Sequence, residues 1–334
     1  MTTSNDPADI AFALCQVDST TGQEGPVIAL AERMLGARGW QARRIPVSPG
    51  RDNLLATSAE APEICLSTHL DTVPPFIPPA REGDTLTGRG SCDAKGQAAA
   101  LICAGEILRG RGVKVAVLLV IGEETVHDGA RAANREKTTT RVLINGEPTE
   151  SRLAIGTKGV LRFILRTKGK AAHSAYPHLG HSATLDLVKL LAEMDTLVLP
   201  TDAQLGETTI NIGRLSGGVA YNVMAPEAEA QLMARLVTPA DELVALLQQW
   251  VNGRAELEPG VPVPLARLTT LPGFPTSVVA YATDVPNLDA WGTPYLFGPG
   301  SIHVAHTDHE CIDVGELRAA VDTYVRLAEA ALRR

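Results

Sequence analysis

Val115-Ala116-Val117-Leu118-Leu119-Val120-Ile121 is the most apolar stretch of the chain, and Gly122-Glu123-Glu124 follows it directly. Seven consecutive apolar residues, four of them β-branched, fit a strand buried on both faces. Ile64 and Leu66 belong to a second such strand, and Val142 to Ile144 is a shorter third run. Between the first two lies Ala94 to Leu108, rich in Ala, Leu and Ile and ending at Gly110, which reads as a helix with a glycine stop. Glu24 to Leu35 is a second helical stretch. Buried strands alternating with helices predict an α/β layer architecture with helices on both sheet faces.

From Thr157 to Leu268 the pattern changes. Leu161, Phe163 and Leu165 alternate with Arg162, Ile164 and Arg166, and Ala228, Ala230, Leu232, Ala234 and Leu236 share one face of a second alternating run. Period two with one polar face predicts a sheet covered on one side only. Helical segments at His181 to Met194 and Pro239 to Gly253 separate these strands. The expected organisation is therefore a main domain at 1–156 and 269–334 with a small α+β domain, 157–268, inserted into it. Pro262 to Leu268 and Ser277 to Ala282 are expected to return to the main sheet. Asp313 and Glu316 have capping-box spacing before a closing helix striped by Leu317, Val321, Tyr324, Ala328 and Leu332.

A chain of 334 residues exceeds the size at which one core usually stops growing, in keeping with two domains. A net charge of -8 excludes a general nucleic-acid binder, which needs Lys and Arg to neutralise phosphates. No apolar run is long enough to span a bilayer. The polar N-terminus and five scattered cysteines, without CxxC spacing, predict a cytoplasmic protein with reduced thiols.

Five metal-binding side chains stand at the ends of short apolar runs: His69, Asp93, Glu124, Glu147 and His306, with Glu123 beside Glu124. Each has a plainer alternative. His69 fits a core or turn histidine, Asp93 an N-cap, and Glu123-Glu124 a solvated loop tip. Asp71, two residues from His69 and on the same face of extended backbone, is placed to hold the ring nitrogen that a metal leaves free. Two carboxylates at the end of a buried strand repel unless a cation lies nearby. Near the C-terminus His303, His306 and His309 compete for one ligand role, and position leaves the choice open. Jointly the set supplies two zinc ions with a shared carboxylate and leaves one carboxylate as a base.

The segments STHLDTVP at His69, GRGSCDAKGQAAA at Asp93, the Glu123-Glu124 pair, NGEPT at Glu147, GKAAHSAYPHLG at His173 and GPGSIHVAHTDHE at His306 resemble one family. It is the di-zinc amidohydrolase and metallopeptidase family of acetylornithine deacetylase, succinyl-diaminopimelate desuccinylase, aminoacylase and carboxypeptidase G. The resemblance implies that His69, Asp93 and Glu147 hold one zinc, and that Asp93, Glu124 and His306 hold the other. Cobalt or manganese suits the same donors. It also implies Glu123 as general base and acid, Asp71 as the group orienting His69, and a ferredoxin-like lid through which two copies dimerise. In that lid His173 matches the histidine that reaches the reacting carbonyl oxygen. Asn222 and Arg235 match positions that contact the substrate carboxylate, and Gly298 to Ser301 match a backbone wall beside it.

The expected reaction is hydrolysis of the amide of a small N-acyl amino acid, with N-acetylornithine or a related compound of arginine or lysine biosynthesis foremost. Desuccinylase, aminoacylase and dipeptidase activities use the same catalytic groups. A desuccinylase needs a further cation, for which Lys158, Arg162 and Arg214 are available. Ornithine needs an acid, with Glu150, Asp308 and Glu310 as candidates. A dimer that binds such a compound without cleaving it is the alternative from another class, and it has no use for Glu123.

Overall fold

The computed structural model describes residues 4–334; Met1 to Thr3, part of the polar N-terminal stretch, lie outside the described residues. The chain divides into two compact units, 1–155 with 268–277 and 283–334, and 156–267 with 278–282. No helix among the described residues is long and apolar enough to cross a membrane.

The first unit is built on a six-stranded sheet in the order Gln41–Ser48, Arg51–Thr57, Val115–Val120, Ile64–His69, Val142–Gly146, Thr293–Phe297. The last four run parallel and the first two pair antiparallel at one edge. Val115–Val120 is buried along its whole length, as its apolar composition requires, and Ile64–His69 is equally buried although Ser67, Thr68 and His69 are polar. Val115, Val117 and Leu119 face a large core against the helices Pro7–Cys15, Gly25–Ala37, Lys95–Gly110 and Val314–Leu332. Ala116, Leu118 and Val120 face a smaller core with Ala130, Ala133, Leu288 and Trp291. Helical segments thus cover both faces, which is what apolar side chains on alternate faces demand.

The second unit carries a four-stranded antiparallel sheet in the order Thr209–Gly217, Glu227–Leu236, Gly159–Lys168, Glu256–Pro259. Its helices Ala183–Ala192 and Ala240–Val251 bury Leu187, Leu190, Leu243 and Leu247 against the face formed by Leu161, Phe163, Leu165, Leu232 and Leu236. Strand, helix, two strands, helix, strand is the ferredoxin-like order.

Two expectations are corrected. Neither 262–268 nor 277–282 joins the six-stranded sheet. Ala266–Arg267 pairs with Gly156 and Thr157, and 278–282 clusters with the second unit. Pro262 and Pro264 supply no ladder N–H, so that segment is unsuited to a central strand. The capping box at the last helix is half formed. Asp313 Oδ1 accepts the Glu316 N–H at 2.7 Å, but the Glu316 carboxylate turns away to Gly300 N–H at 3.0 Å and Ser151 Oγ at 2.8 Å.

That helix also anchors the last parallel strand. The buried Tyr324 hydroxyl lies 2.9 Å from Phe297 O and 3.1 Å from Gln97 Oε1. Tyr324→Phe removes the shorter of two hydrogen bonds to Phe297 O, leaving it the Glu147 N–H at 3.4 Å, and is expected to cost about 0.5–1.5 kcal/mol. Denaturant unfolding with an unchanged slope checks this, and wild-type stability would refute it.

Candidate active site

Strand direction decides where the acidic groups gather. His69 closes Ile64–His69, Glu123 and Glu124 follow Val115–Val120, Glu147 follows Val142–Gly146, and Gly298 follows Thr293–Phe297. All lie at the C-terminal edge of parallel strands, the edge at which open α/β sheets bind ligands.

Asp93 precedes the helix Lys95–Gly110 and turns one oxygen to each of two imidazoles. Oδ1 lies 3.1 Å from His69 Nε2, and Oδ2 lies 3.4 Å from His306 Nε2. Glu147 Oε1 stands 4.0 Å from His69 Nε2, and Glu124 Oε2 stands 2.9 Å from His306 Nε2. The five side chains expected to bind metal therefore converge. His306 is the one of the three C-terminal histidines that reaches this group; it sits at φ +62°, a left-handed conformation uncommon outside glycine. His303 and His309 are exposed and point to Glu150 and Asp308 at 3.9 and 3.4 Å.

Charge is the difficulty of this arrangement. Burial pushes Glu123 and Glu147 well above the usual carboxylate range and raises Glu124 as well. Burial acts the same way on Asp93, yet His306 and His69 hold it below that range. Asp93 and Glu124 push His306 up to about 10. Glu147 Oε1 is buried without a hydrogen-bond partner. A buried, unpartnered carboxylate oxygen beside an imidazole and a second carboxylate fits a cation, which lets these acids ionise together. The donor set of nitrogen and oxygen suits zinc, cobalt or manganese.

Asp71 contacts more than the His69 ring. His69 Nδ1 lies 3.0 Å from the Asp71 carbonyl and 3.5 Å from its carboxylate. The carboxylate accepts the backbone N–H groups of Glu123 at 3.1 Å and Glu124 at 3.2 Å, and the Thr21 hydroxyl at 2.8 Å. It thereby ties the turn carrying both glutamates to the strand carrying His69. Turn geometry, which no local pattern encodes, sets up this link.

Glu310 is a second clamp. It is 1% exposed and accepts from Arg89 Nη1 at 2.7 Å and from the N–H groups of Gly90, Cys92 and Asp93 at 2.9, 3.1 and 3.0 Å. It joins the loop of Asp93 to the loop of His306. All its capacity is used internally, so Glu310 is removed from the candidates for a substrate ammonium. Gln97 adds a third link, donating to Cys92 O at 3.1 Å and Pro299 O at 2.7 Å.

The segment Gly298 to Ser301 turns its hydrogen bonds inward. Gly298 N–H donates to Thr149 Oγ1 at 3.0 Å, Gly300 N–H goes to Glu316, and Ser301 Oγ donates to Glu150 Oε1 at 3.1 Å. Gly298 acts by its size. A Cβ there would lie 2.2 Å from Gln97 Oε1 and 2.4 Å from Glu147 O.

His173, Asn222 and Arg235 lie in the second unit. His173 and Asn222 occupy adjoining stretches, joined by the His173–Val223 bridge and by Ser174 N–H to Asn222 O at 3.0 Å. His173 Nδ1 accepts the Ala175 N–H at 3.2 Å, which leaves Nε2 as the protonated nitrogen. Arg235 is half-buried; burial and its neighbour Arg162 lower its pKa, and no acid offsets them. Lys158 Nζ is occupied by Glu207 O at 2.6 Å.

Residues 155–258 match the family model described as a peptidase dimerisation domain. A probable carboxypeptidase of Aspergillus flavus is 38% identical over 96% of this chain and 86% of its own length. The chain belongs to the M20 peptidase family. Among solved M20-like structures, a tripeptidase from Staphylococcus aureus superposes with TM-score 0.81 at 19% identity over 98% of both chains. A dinuclear metal-binding M20 peptidase from Bacillus subtilis superposes with TM-score 0.72 at 14% identity, covering 98% of this chain and 97% of that one. As an M20 peptidase this chain is a metal-dependent hydrolase with a dimerisation domain.

Glu310→Ala in this M20 peptidase leaves the N–H groups of Gly90, Cys92 and Asp93 buried without an acceptor and takes from Arg89 its carboxylate partner, leaving it the carbonyls of Thr307 and Pro75. The expected loss is about 3–5 kcal/mol of stability, the usual cost of breaking a buried ion pair. Metal content should fall with it. Denaturation and metal analysis read both, and an unaltered melting curve would contradict the clamp.

Proposed function

We propose that this M20 peptidase hydrolyses the amide on the nitrogen of an amino acid with a free carboxylate, in short peptides or N-acyl amino acids. The observation that carries it is Asp93, with one oxygen toward His69 beside Glu147 and the other toward His306 beside Glu124. His69, Asp93 and Glu147 would hold one zinc, and Asp93, Glu124 and His306 a second. When bound, the ions supply a water acidified to near neutrality and a Lewis acid for the scissile carbonyl.

Glu123 lies outside that ligand set. It takes the proton of the attacking water and returns it to the leaving amine. Asp71 holds it in place through its backbone N–H. His173, in its own or the partner subunit, presents Nε2–H to the oxyanion. Arg235, lacking an acidic neighbour, receives the substrate carboxylate together with Asn222, and Gly298 to Ser301 shape the adjoining wall. The exposed outer strand Thr209–Gly217, with Leu215, and the exposed Leu185 and Val188 of the neighbouring helix support a homodimer formed through the second unit. Free cysteines throughout support a cytoplasmic setting.

The relatives' names favour carboxypeptidase or tripeptidase substrates. N-Acetylornithine and N-succinyl-diaminopimelate, favoured by the motif resemblance, remain the narrower choice among N-acyl amino acids. A panel of dipeptides, tripeptides, N-acetyl and N-succinyl amino acids with added zinc or cobalt separates them. No turnover on any member would favour a non-catalytic binding dimer.

Glu123→Gln should keep both metals and lose turnover by orders of magnitude. Loss of metal instead would exchange the roles of Glu123 and Glu124. His173→Ala is expected to lower kcat by about 100- to 1000-fold, the range for one oxyanion donor, at constant metal content. Wild-type kcat in that variant would remove His173 from the reaction.

A further inference from the structure

A second group of titratable side chains lies behind the five ligands. Glu123, His127 and Asp284 bring one atom each within 4.8 Å of one another. His127 Nδ1 lies 2.9 Å from Asp284 Oδ1 and 3.8 Å from Glu123 Oε1. Asp284 is 1% exposed and its Oδ2 has no hydrogen-bond partner. A buried carboxylate with one oxygen unsatisfied depends on its remaining contact, so His127 Nδ1 carries a hydrogen and gives it to Asp284.

The imidazole is also fixed from its backbone. His127 sits at φ +54°, and its N–H donates to Gly122 O at 2.8 Å, closing the turn that carries Glu123 and Glu124. The Glu123 carboxylate stands at the end of three rotatable bonds, beside this braced ring. We propose that His127, backed by Asp284, is a positioning residue for Glu123. The ring edge sets where the carboxylate rests, so that its oxygens stay aimed at the water it must deprotonate. This rests on Glu123 being the base, as proposed above.

The test compares His127→Ala, His127→Asn and Asp284→Asn in the metal-loaded enzyme. Asn places an amide N–H near the position of Nδ1 and tolerates the left-handed backbone. Expected for His127→Ala is a fall in kcat of about 10- to 100-fold, the range for groups supporting a catalytic centre, with KM and metal content unchanged. His127→Asn should recover most of it, and Asp284→Asn should show the same split of kcat from KM without altering the backbone. In a Glu123→Gln background, His127→Ala should cost nothing further, because the group it positions is gone. Unchanged kcat in both His127→Ala and Asp284→Asn, metal loss in step with kcat, or no recovery by Asn would overturn the proposal. So would an additional loss in the Glu123→Gln background. Wild-type turnover in Glu123→Gln itself would instead overturn the assignment of the base, which keeps the two failures apart.

Discussion

Negative charge gathered in a buried space governs this molecule. Asp93, Glu123, Glu124 and Glu147 meet at one edge of a parallel sheet, with the imidazoles of His69, His306 and His127 as the nearest counter-groups. Burial, with the neighbouring carboxylates adding to it, drives three of these carboxyls toward the protonated form. Groups so arranged do not stabilise the fold by themselves; their convergence makes sense as a cation site, where the ion supplies the opposing charge. The surrounding framework is what keeps them together against that repulsion.

The framework consists of buried polar clamps between loops that are far apart in sequence. Asp71 ties residues 123 and 124 to the strand of His69, Glu310 ties the Asp93 loop to the His306 loop, and Gln97 spans from Cys92 to Pro299. Each clamp uses backbone N–H or C=O groups that would otherwise be buried without partners. One set of hydrogen bonds therefore satisfies the loops and aims the site. Loops with satisfied backbones hold ligand positions more tightly than side-chain packing alone would.

The second unit has a different logic. Its sheet buries one face under two helices and leaves the other polar, and its outer strand is exposed. An exposed edge strand invites pairing with another chain. The match of this region to a peptidase dimerisation domain agrees with that physical expectation.

Strand and helix types were legible because burial on both faces writes a continuous apolar run and burial on one face writes an alternation; Val115–Val120 and Gly159–Lys168 are the respective examples. The convergence of His69, Glu124 and Glu147 was legible for a related reason, since parallel strands deliver their C-terminal ends to one edge, whereas Asp93 arrives from the loop before the helix Lys95–Gly110. Among His303, His306 and His309, motif resemblance made the choice that spacing left open. Other features left no local trace. Segments 262–268 and 277–282 resemble strands in composition, but Pro262 and Pro264 make the first unsuited to the main sheet, and 262–267 and 278–282 cluster with the second unit. Glu310 is by sequence a candidate acid for a substrate ammonium, yet the fold buries it among three N–H groups. His127 and Asp284 are 157 residues apart and meet only when the chain closes. The order of apolar and polar residues determined the layers and the edge where chemistry gathers, because hydrophobic burial is periodic along the chain. Which polar groups brace that edge was decided by tertiary structure, because a hydrogen bond between distant loops has no period to read.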